Sequence, residues 1–198
     1  MSAALKLNRI AVKDYLAGEL DSPTKHEYVD GQVYAMAGAR NLHNVIGTNV
    51  LGSLYGRLRG KPCRPFNSDT KIHIETEGKV CYYYPEVSVI CRQNSLLDSF
   101  QDEPVAVFEV LSKKTRHKDE GEKKDDYLTI PSLGVYVMLE QEVALAVVFR
   151  RTKAGFVREV YKGLDAVIPL PEISTELPLS EIYDGAEFIP ETDDEDET

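Results

Sequence analysis

The sequence has no tryptophan, only three cysteines and no apolar run long enough to cross a membrane. Its longest apolar run, residues 143–149, has the length of a strand, whereas a membrane helix needs about 20 residues. Cys63, Cys81 and Cys91 are odd in number and show no CxxC spacing, so we expect neither a disulfide framework nor a zinc site. This use of cysteine and the absence of a signal-peptide pattern predict a cytoplasmic protein that has no membrane partner.

Positive charge is also scarce in this chain. It carries 33 acidic and 23 basic residues, a formal net charge of −10, which argues against a general nucleic-acid binder. Six of the acids lie in residues 191–198, which contain no base, so residues 1–190 carry −4. A run of like charges without apolar residues cannot pack. We therefore expect one domain over residues 1–190 and a disordered acidic tail over residues 191–198.

The spacing of apolar residues predicts a single α+β domain with a central mixed β-sheet flanked by helices. The expected helices span residues 10–20, 41–59 and 116–129, and the expected strands span residues 71–75, 80–84, 87–91, 104–111, 134–139, 143–150 and 156–161. Asp30-Gly31 lies between two β-rich segments and predicts a two-residue hairpin, because both residues tolerate positive φ. Residues 92–103 are expected to form a loop, and the prolines at 169, 171 and 178 predict an irregular end.

Glu109 is an acid inside an apolar strand. Alternation along residues 104–111 places it on one face together with Val107 and Leu111. A buried carboxylate costs several kcal/mol unless it is paired, hydrogen-bonded or bound to a cation. A buried arginine or lysine satisfies this requirement as well as a metal ion does, and the strand pattern does not choose between them.

Glu86 is a second acid, and it follows Pro85 at the start of a β-rich segment. An acid in that position is more often a surface residue, but Glu109 follows it in the chain by about twenty residues. Two carboxylates that converge across neighbouring strands repel each other, and a hard divalent cation with oxygen ligands removes the repulsion. Such a cation lowers the pKa of bound water and stabilises charge on a phosphate. The pair therefore predicts a divalent metal site.

The predicted helix at residues 116–129 is mostly charged, which is typical of a solvated, salt-bridged helix. Asp119, Lys123 and the pair Asp126 and Tyr127 share one of its faces. A lysine turned inward from this face would bring positive charge next to the two acids.

The order and spacing of several segments resemble a large bacterial family described as restriction endonucleases, within the PD-(D/E)XK nuclease superfamily. These segments are HEYVDGQVYAMAG (26–38), His43, YPEVSVI (84–90), FEVLS (108–112) and RHKDEGEKKDDYLTIPSLGVYVML (116–139). The resemblance covers about residues 8–183. It implies the restriction-endonuclease-like fold, an endonuclease that depends on Mg²⁺ or Mn²⁺, and DNA as the substrate. Nucleases of this type often act as dimers, so a homodimer is an open expectation.

The resemblance also implies roles for particular residues. The N-terminal acid of the family falls on Glu27, the acid of the "PD" motif on Glu86 and the second-strand acid on Glu109, all as catalytic metal ligands. The lysine that usually follows two residues later is replaced by Leu111. A family variant takes this lysine from the next helix, and Lys123 matches that position.

His43 has two interpretations. The resemblance places a histidine here, near the site, but a polar residue at a helix start is more often a cap or a surface residue.

The sequence departs from the family pattern at position 86, where the family has aspartate. The additional methylene of Glu86 moves the carboxylate by roughly 1 Å, and such a displacement can cost on the order of a hundredfold in rate. Lys113 and Lys114 follow where the family favours a proline. They and the basic segment at residues 57–64 would contact phosphate or would be ordinary solvated charge.

Two hypotheses about function follow. The first is a Mg²⁺-dependent DNA endonuclease. The second is an inactive protein of the same fold that acts as a binding or regulatory module, which the glutamate at position 86, the negative net charge and the acidic tail favour.

Overall fold

The structure, a computed structural model, describes residues 9–36, 38–112 and 121–188. Within these residues the chain forms four α-helices, one 3₁₀ turn (Pro171–Ile173) and thirteen strands. The helices are α1 (Val12–Asp21), α2 (Asn41–Leu58), α3 (Glu122–Thr129) and α4 (Leu179–Ile182). The strands are β1 (His26–Val29), β2 (Gln32–Ala35), β3 (Arg64–Asn67), β4 (Lys71–Thr76), β5 (Lys79–Tyr83), β6 (Val87–Ile90), β7 (Phe100–Gln101), β8 (Pro104–Val110), β9 (Val135–Leu139), β10 (Leu145–Thr152), β11 (Gly155–Lys162), β12 (Val167–Leu170) and β13 (Thr175–Pro178).

The strands divide into two larger sheets and a hairpin. The six-stranded sheet has the order β11-β10-β9-β8-β6-β3, the five-stranded sheet has the order β2-β1-β5-β4-β7, and β12 pairs with β13. Both larger sheets are mixed, because β8 runs parallel to β9 and β4 runs parallel to β7, whereas their other neighbours are antiparallel. The predicted α+β class with a mixed sheet is therefore confirmed, although two sheets share the strands.

Two apolar layers hold these elements together, one on each face of β8. Ala106, Phe108 and Val110 pack with the buried stripe of α2, which recurs every four residues from Ile46 to Leu58. Val107 and Leu111 pack on the opposite face with Ile72, Tyr83 and Tyr127 of the five-stranded sheet and α3. Glu109 lies on this second face, as alternation predicts.

The C-terminal part of the described chain is more regular than predicted. The prolines at 169, 171 and 178 lie in or next to β12, the 3₁₀ turn and β13, so the predicted irregular end is wrong. Ile168, Leu170 and Leu177 are fully buried against α2, and this burial gives the segment its order. Strands β3 and β7 were also not predicted. The acidic tail and the first part of the predicted helix at residues 116–129 lie outside the described residues.

Two cysteines form a disulfide. The Sγ atoms of Cys63 and Cys91 are 2.00 Å apart, next to the β3–β6 pair that joins Arg64 to Ile90. The expectation that no cysteines pair is therefore wrong, because antiparallel pairing brings together residues that no local spacing connects. The cysteine argument for a reducing compartment is lost, and a cytoplasmic location stays a prediction. None of the helices in the described ranges is long and apolar enough to span a bilayer.

The predicted hairpin at Asp30-Gly31 is confirmed. These two residues join β1 to β2 with φ angles of 44° and 89°, which is the left-handed region that a two-residue hairpin turn requires. A Cβ on Gly31 would lie 2.7 Å from the Arg9 Cβ.

We expect Gly31→Ala to lower the free energy of unfolding by roughly 1–2 kcal/mol, because an L side chain is strained at this φ and meets Arg9. Gly52→Ala is the matched control, since Gly52 lies in the interior of α2 and a Cβ added there would have nothing within 4 Å. It should raise stability by about 0.5–1 kcal/mol. Urea midpoints measure both changes, and a Gly31→Ala midpoint at or above that of wild type would contradict the turn geometry.

Candidate active site

Strand pairing brings Glu86 and Glu109 together. Val87 of β6 pairs with Phe108 of β8, so the same antiparallel register, extended by one residue, sets Glu86 opposite Glu109. On the other side of β8, Glu109 pairs with Met138. The two carboxyl groups are in hydrogen-bond contact.

A buried lysine from α3 contacts the same pair. The Lys123 Nζ lies 2.8 Å from Glu109 Oε1 and 3.1 Å from Glu27 Oε1. The three side chains are only 6%, 2% and 7% exposed, respectively. Glu27 comes from β1 of the five-stranded sheet and Glu109 from β8 of the six-stranded sheet, so Lys123 joins both sheets through one ammonium group. Of the two ways to satisfy Glu109, a buried lysine is therefore present.

Glu86 is held at both carboxylate oxygens. Oε1 lies 2.7 Å from His43 Nε2, and Oε2 accepts a hydrogen bond of 3.2 Å from the backbone N–H of Val110. Burial raises the pKa of Glu86. The hydrogen bonds from Glu109 and His43 and the positive charge of Lys123 outweigh burial and lower the pKa to about 2. Glu86 is 19% exposed and His43 is 12% exposed, so solvent reaches the site from this side.

Helix α3 carries Lys123 inward because two contacts fix the helix. Asp126, three residues further along on the same face, accepts a hydrogen bond of 2.6 Å from the Tyr83 hydroxyl and lies 2.6 Å from the Lys79 Nζ. Beyond the C-terminal end of the helix, Arg151 donates to the Ile130 and Leu133 carbonyl groups. The predicted inward lysine therefore follows from helix periodicity combined with an anchor on β5.

Several residues around the site escaped prediction from the sequence. Gln141 Nε2 donates to the Leu111 carbonyl at 2.5 Å and lies 3.5 Å from His43 Nδ1. Gly47, one turn after His43 on α2, leaves space for the Glu86 stem, whose Cγ lies 3.6 Å from the position of a Cβ. In the sequence Gln141 resembles any polar turn residue. The sequence analysis did not use the i, i+4 spacing of His43 and Gly47, which is the signal that places Gly47 on the same helix face.

The basic segment at residues 57–64 does not lie beside the carboxylates. Arg57 is 14 residues after His43 on α2, a distance of roughly 21 Å along the helix axis. Its guanidinium binds Glu181 of α4 at 2.6 Å. Lys113 and Lys114 lie outside the described residues. The expected phosphate-binding role of the basic segment therefore has no support from its position.

The donor set suits a weakly coordinated divalent cation. Within residues 9–36, 38–112 and 121–188, no group of three or more His, Cys, Asp or Glu side chains is arranged to hold a metal ion. Glu86 and Glu109 nevertheless bring two carboxyl groups into contact at the partly exposed side of the site. Mg²⁺ often binds through one or two carboxylates and keeps several waters, so this pair fits it. Glu27 contacts the Lys123 ammonium group, which in turn contacts Glu109.

Comparison with known proteins identifies the class of protein that this fold and site define. A crystal structure of a putative nuclease from Anabaena variabilis aligns with 85% of this chain and 96% of its own, with a TM-score of 0.66 at 16% identity, and confirms the nuclease-like fold. The Uma2 family, described as putative restriction endonuclease, matches residues 12–180, and the chain belongs to this family.

Two relatives from Synechocystis support this membership. One uncharacterised protein is 31% identical over 183 residues, which cover 91% of this chain and 94% of the relative. Another is 30% identical over 136 residues, which cover 67% of this chain and 75% of that relative. The resemblance that the sequence motifs indicate is therefore confirmed at the level of the family.

The lowered pKa of Glu86 predicts a pH dependence of stability. Because the folded pKa of about 2 lies below the ordinary 4.5, ionised Glu86 stabilises the native state above pH 4.5, and this contribution is lost as the pH falls from 4.5 to 2. Each pH unit of this difference corresponds to roughly 1.4 kcal/mol. Glu86→Gln should flatten the fall in urea midpoint within this window. Glu77→Gln, a substitution of an exposed acid, should show the same dependence of urea midpoint on pH as wild type. Equal pH profiles for wild type, Glu86→Gln and Glu77→Gln would refute the lowered pKa of Glu86.

Removal of Lys123 should leave the buried carboxyl groups of Glu27 and Glu109 without the ammonium group that contacts both. We expect Lys123→Met to lower the free energy of unfolding by roughly 3–5 kcal/mol at neutral pH, and added Mg²⁺ should restore part of the loss. The same substitution at Lys124, which pairs with the exposed Asp125, is the control and should cost less than about 1 kcal/mol. Equal losses of unfolding free energy at both positions would show that the buried ion pair contributes no more to stability than the exposed one.

Proposed function

We propose that this protein is a Mg²⁺-dependent endonuclease that hydrolyses DNA phosphodiester bonds at the Glu86–Glu109 pair. The observation that carries the proposal is the contact between these two carboxyl groups beside a buried lysine. Family membership supports the same reaction class. Mn²⁺, which also prefers oxygen ligands, is the alternative cation.

Each residue has a role that follows from its contacts. Glu86 and Glu109 would hold the cation, and the backbone N–H of Val110 fixes the Glu86 carboxylate. When bound, the cation would activate water and stabilise negative charge on the phosphate. Lys123 would donate hydrogen bonds to the attacking water and to a phosphate oxygen. Glu27 would orient Lys123, and its expected role as a third ligand requires Lys123 to move away from it.

Hydrolysis of a phosphodiester bond needs only water as the second reactant. The oxygen of a water molecule bonds to phosphorus, the bond from phosphorus to one ester oxygen breaks, and the leaving oxygen takes up a proton. The products are a phosphomonoester end and a hydroxyl end. No intermediate bonded to the protein is required, and this agrees with the described residues of the site, which present carboxylates, an ammonium group and an imidazole but no nucleophile held by a base.

The N-terminus of α2 supports the approach of a phosphate. His43 lies in its first turn, which contains no acid, and no side chain caps the backbone N–H groups there. The positive end of an 18-residue helix attracts anions. It lies on the more exposed side of the site, next to Glu86, so a DNA backbone would meet positive potential there despite the negative net charge. A homodimer remains a prediction.

The second candidate function is a binding or regulatory module without activity. One observation favours it: the ionisable groups already satisfy one another, with Lys123 on Glu109 and His43 on Glu86. A site of this kind is stable without a cation.

Cleavage assays separate the two candidates. We expect supercoiled plasmid or single-stranded DNA to be cut in the presence of Mg²⁺ or Mn²⁺. Loss of an outer-shell partner costs about 10- to 100-fold, so loss of the direct ligand in Glu109→Gln should lower the rate at least about a hundredfold. Glu77→Gln, which changes an exposed acid, should keep the wild-type rate. If Glu109→Gln cuts DNA as fast as wild type, the assignment of Glu109 to the active site is wrong. If wild type does not cut DNA, the binding or regulatory module is the better proposal.

A further inference from the structure

The Tyr127 hydroxyl is a buried polar group that the proposed function does not use. Tyr127 is 0% exposed, and its hydroxyl has no hydrogen-bond partner among the described residues. Its ring lies between those of Tyr83 and Tyr136, with centroids 5.6 and 5.5 Å away. Since buried hydroxyl groups almost always have a partner, an exception in a native protein calls for a reason.

Tyr127 belongs to the apolar layer that also contains Val107 and Leu111, the neighbours of Glu109 on its face of β8. It follows Lys123 by one turn on the inner face of α3, and the Lys123 Nζ lies 5.7 Å from the Tyr83 ring that also packs on Tyr127. Tyr136, the other ring neighbour, shares a face of β9 with Met138, which pairs with Glu109. Burial raises the pKa of Tyr127 well above its ordinary value, and the charge of Glu109 adds to this effect. The phenol therefore stays protonated and can donate.

Glu109 already has a donor in the ammonium group of Lys123. Nζ already contacts Glu109 Oε1 at 2.8 Å. In the proposed reaction Lys123 must turn toward water and phosphate, and Glu109 then loses this buried donor. A carboxylate in an apolar layer needs hydrogen bonds to keep one orientation. Tyr127 presents a protonated hydroxyl in the same layer.

We propose that Tyr127 is a positioning residue whose hydroxyl donates to Glu109 when Lys123 leaves it, so that Glu109 keeps its orientation toward a bound cation. The exchange of donors requires no cation, and it rests on the chain of contacts from Glu109 through Lys123 and Tyr83 to Tyr127. Its use during cation binding rests on the proposed function. In the metal-free protein the unused hydroxyl is a cost, and in the working state it becomes a hydrogen bond.

A double-mutant cycle tests the exchange without any metal. In the wild-type background Tyr127→Phe should leave the urea midpoint unchanged or raise it, because it removes an unsatisfied oxygen. In the Lys123→Met background the same change should lower the midpoint. Lys123→Gln replaces Lys123→Met if the latter does not fold. Ser88→Ala is the matched control, since Ser88 has the other fully buried hydroxyl without a partner among the described residues and pairs with Val107. It should change the urea midpoint by the same amount in both backgrounds. Equal effects of Tyr127→Phe in both backgrounds would overturn the proposal.

Calorimetry with Mn²⁺ tests the use of the hydroxyl in cation binding. We expect Tyr127→Phe to bind Mn²⁺ roughly 10- to 100-fold more weakly than wild type, the usual effect of losing a group that orients a ligand. Ser88→Ala should bind as wild type does. Equal affinities of Tyr127→Phe and wild type would refute the role in binding. If wild type binds no Mn²⁺, the proposed nuclease function fails, and the double-mutant cycle still decides whether Tyr127 serves Glu109.

Discussion

The buried contact between Lys123 and Glu109 is the interaction on which the rest of the structure depends. The ammonium group joins α3, the six-stranded sheet through Glu109 and the five-stranded sheet through Glu27. A buried ion pair rarely stabilises a fold more than apolar residues of the same size would, because desolvation of the charges offsets their attraction. Breaking such a pair is costly, however, so once it exists the surrounding elements must keep its geometry. The Asp126 contacts with Lys79 and Tyr83 meet this requirement, since they fix the helix that carries Lys123.

This arrangement also determines how a cation would enter. The carboxyl groups of Glu86 and Glu109 are in contact, and Lys123 supplies positive charge next to them. In the proposed function Glu86 and Glu109 would hold the cation, and Lys123 would move away from Glu109. In that function the ammonium group that pairs with Glu109 in this structure would bind a phosphate oxygen. Cation binding and catalysis would then be linked through Lys123, and Glu109 would need another hydrogen-bond donor.

The sequence predicts the parts of the site that depend on periodicity. Alternation along β8 identified Glu109 as buried, and helix spacing allowed Lys123 to point inward; both agree with the structure. Contacts between segments far apart in the chain were not accessible in this way. The Cys63–Cys91 disulfide depends on the pairing of β3 with β6, and the contact of His43 with Glu86 depends on how α2 packs on the six-stranded sheet. The order of residues 167–182 was missed because local proline signals are overridden there by burial of apolar side chains.

The glutamate at position 86 illustrates why a single substitution cannot be judged from the sequence. Compared with aspartate, its additional methylene would ordinarily loosen the carboxylate. Here His43 and the Val110 N–H each hold one oxygen, and Gly47 leaves room for the longer stem. The additional length therefore extends the reach of the carboxylate without freeing it. Glu86 is therefore in place, and activity would depend on whether a cation competes with His43 for Glu86 Oε1. Since His43 is partly exposed whereas Glu109 and Lys123 are not, that competition takes place on the side of the site that a DNA phosphate would reach first.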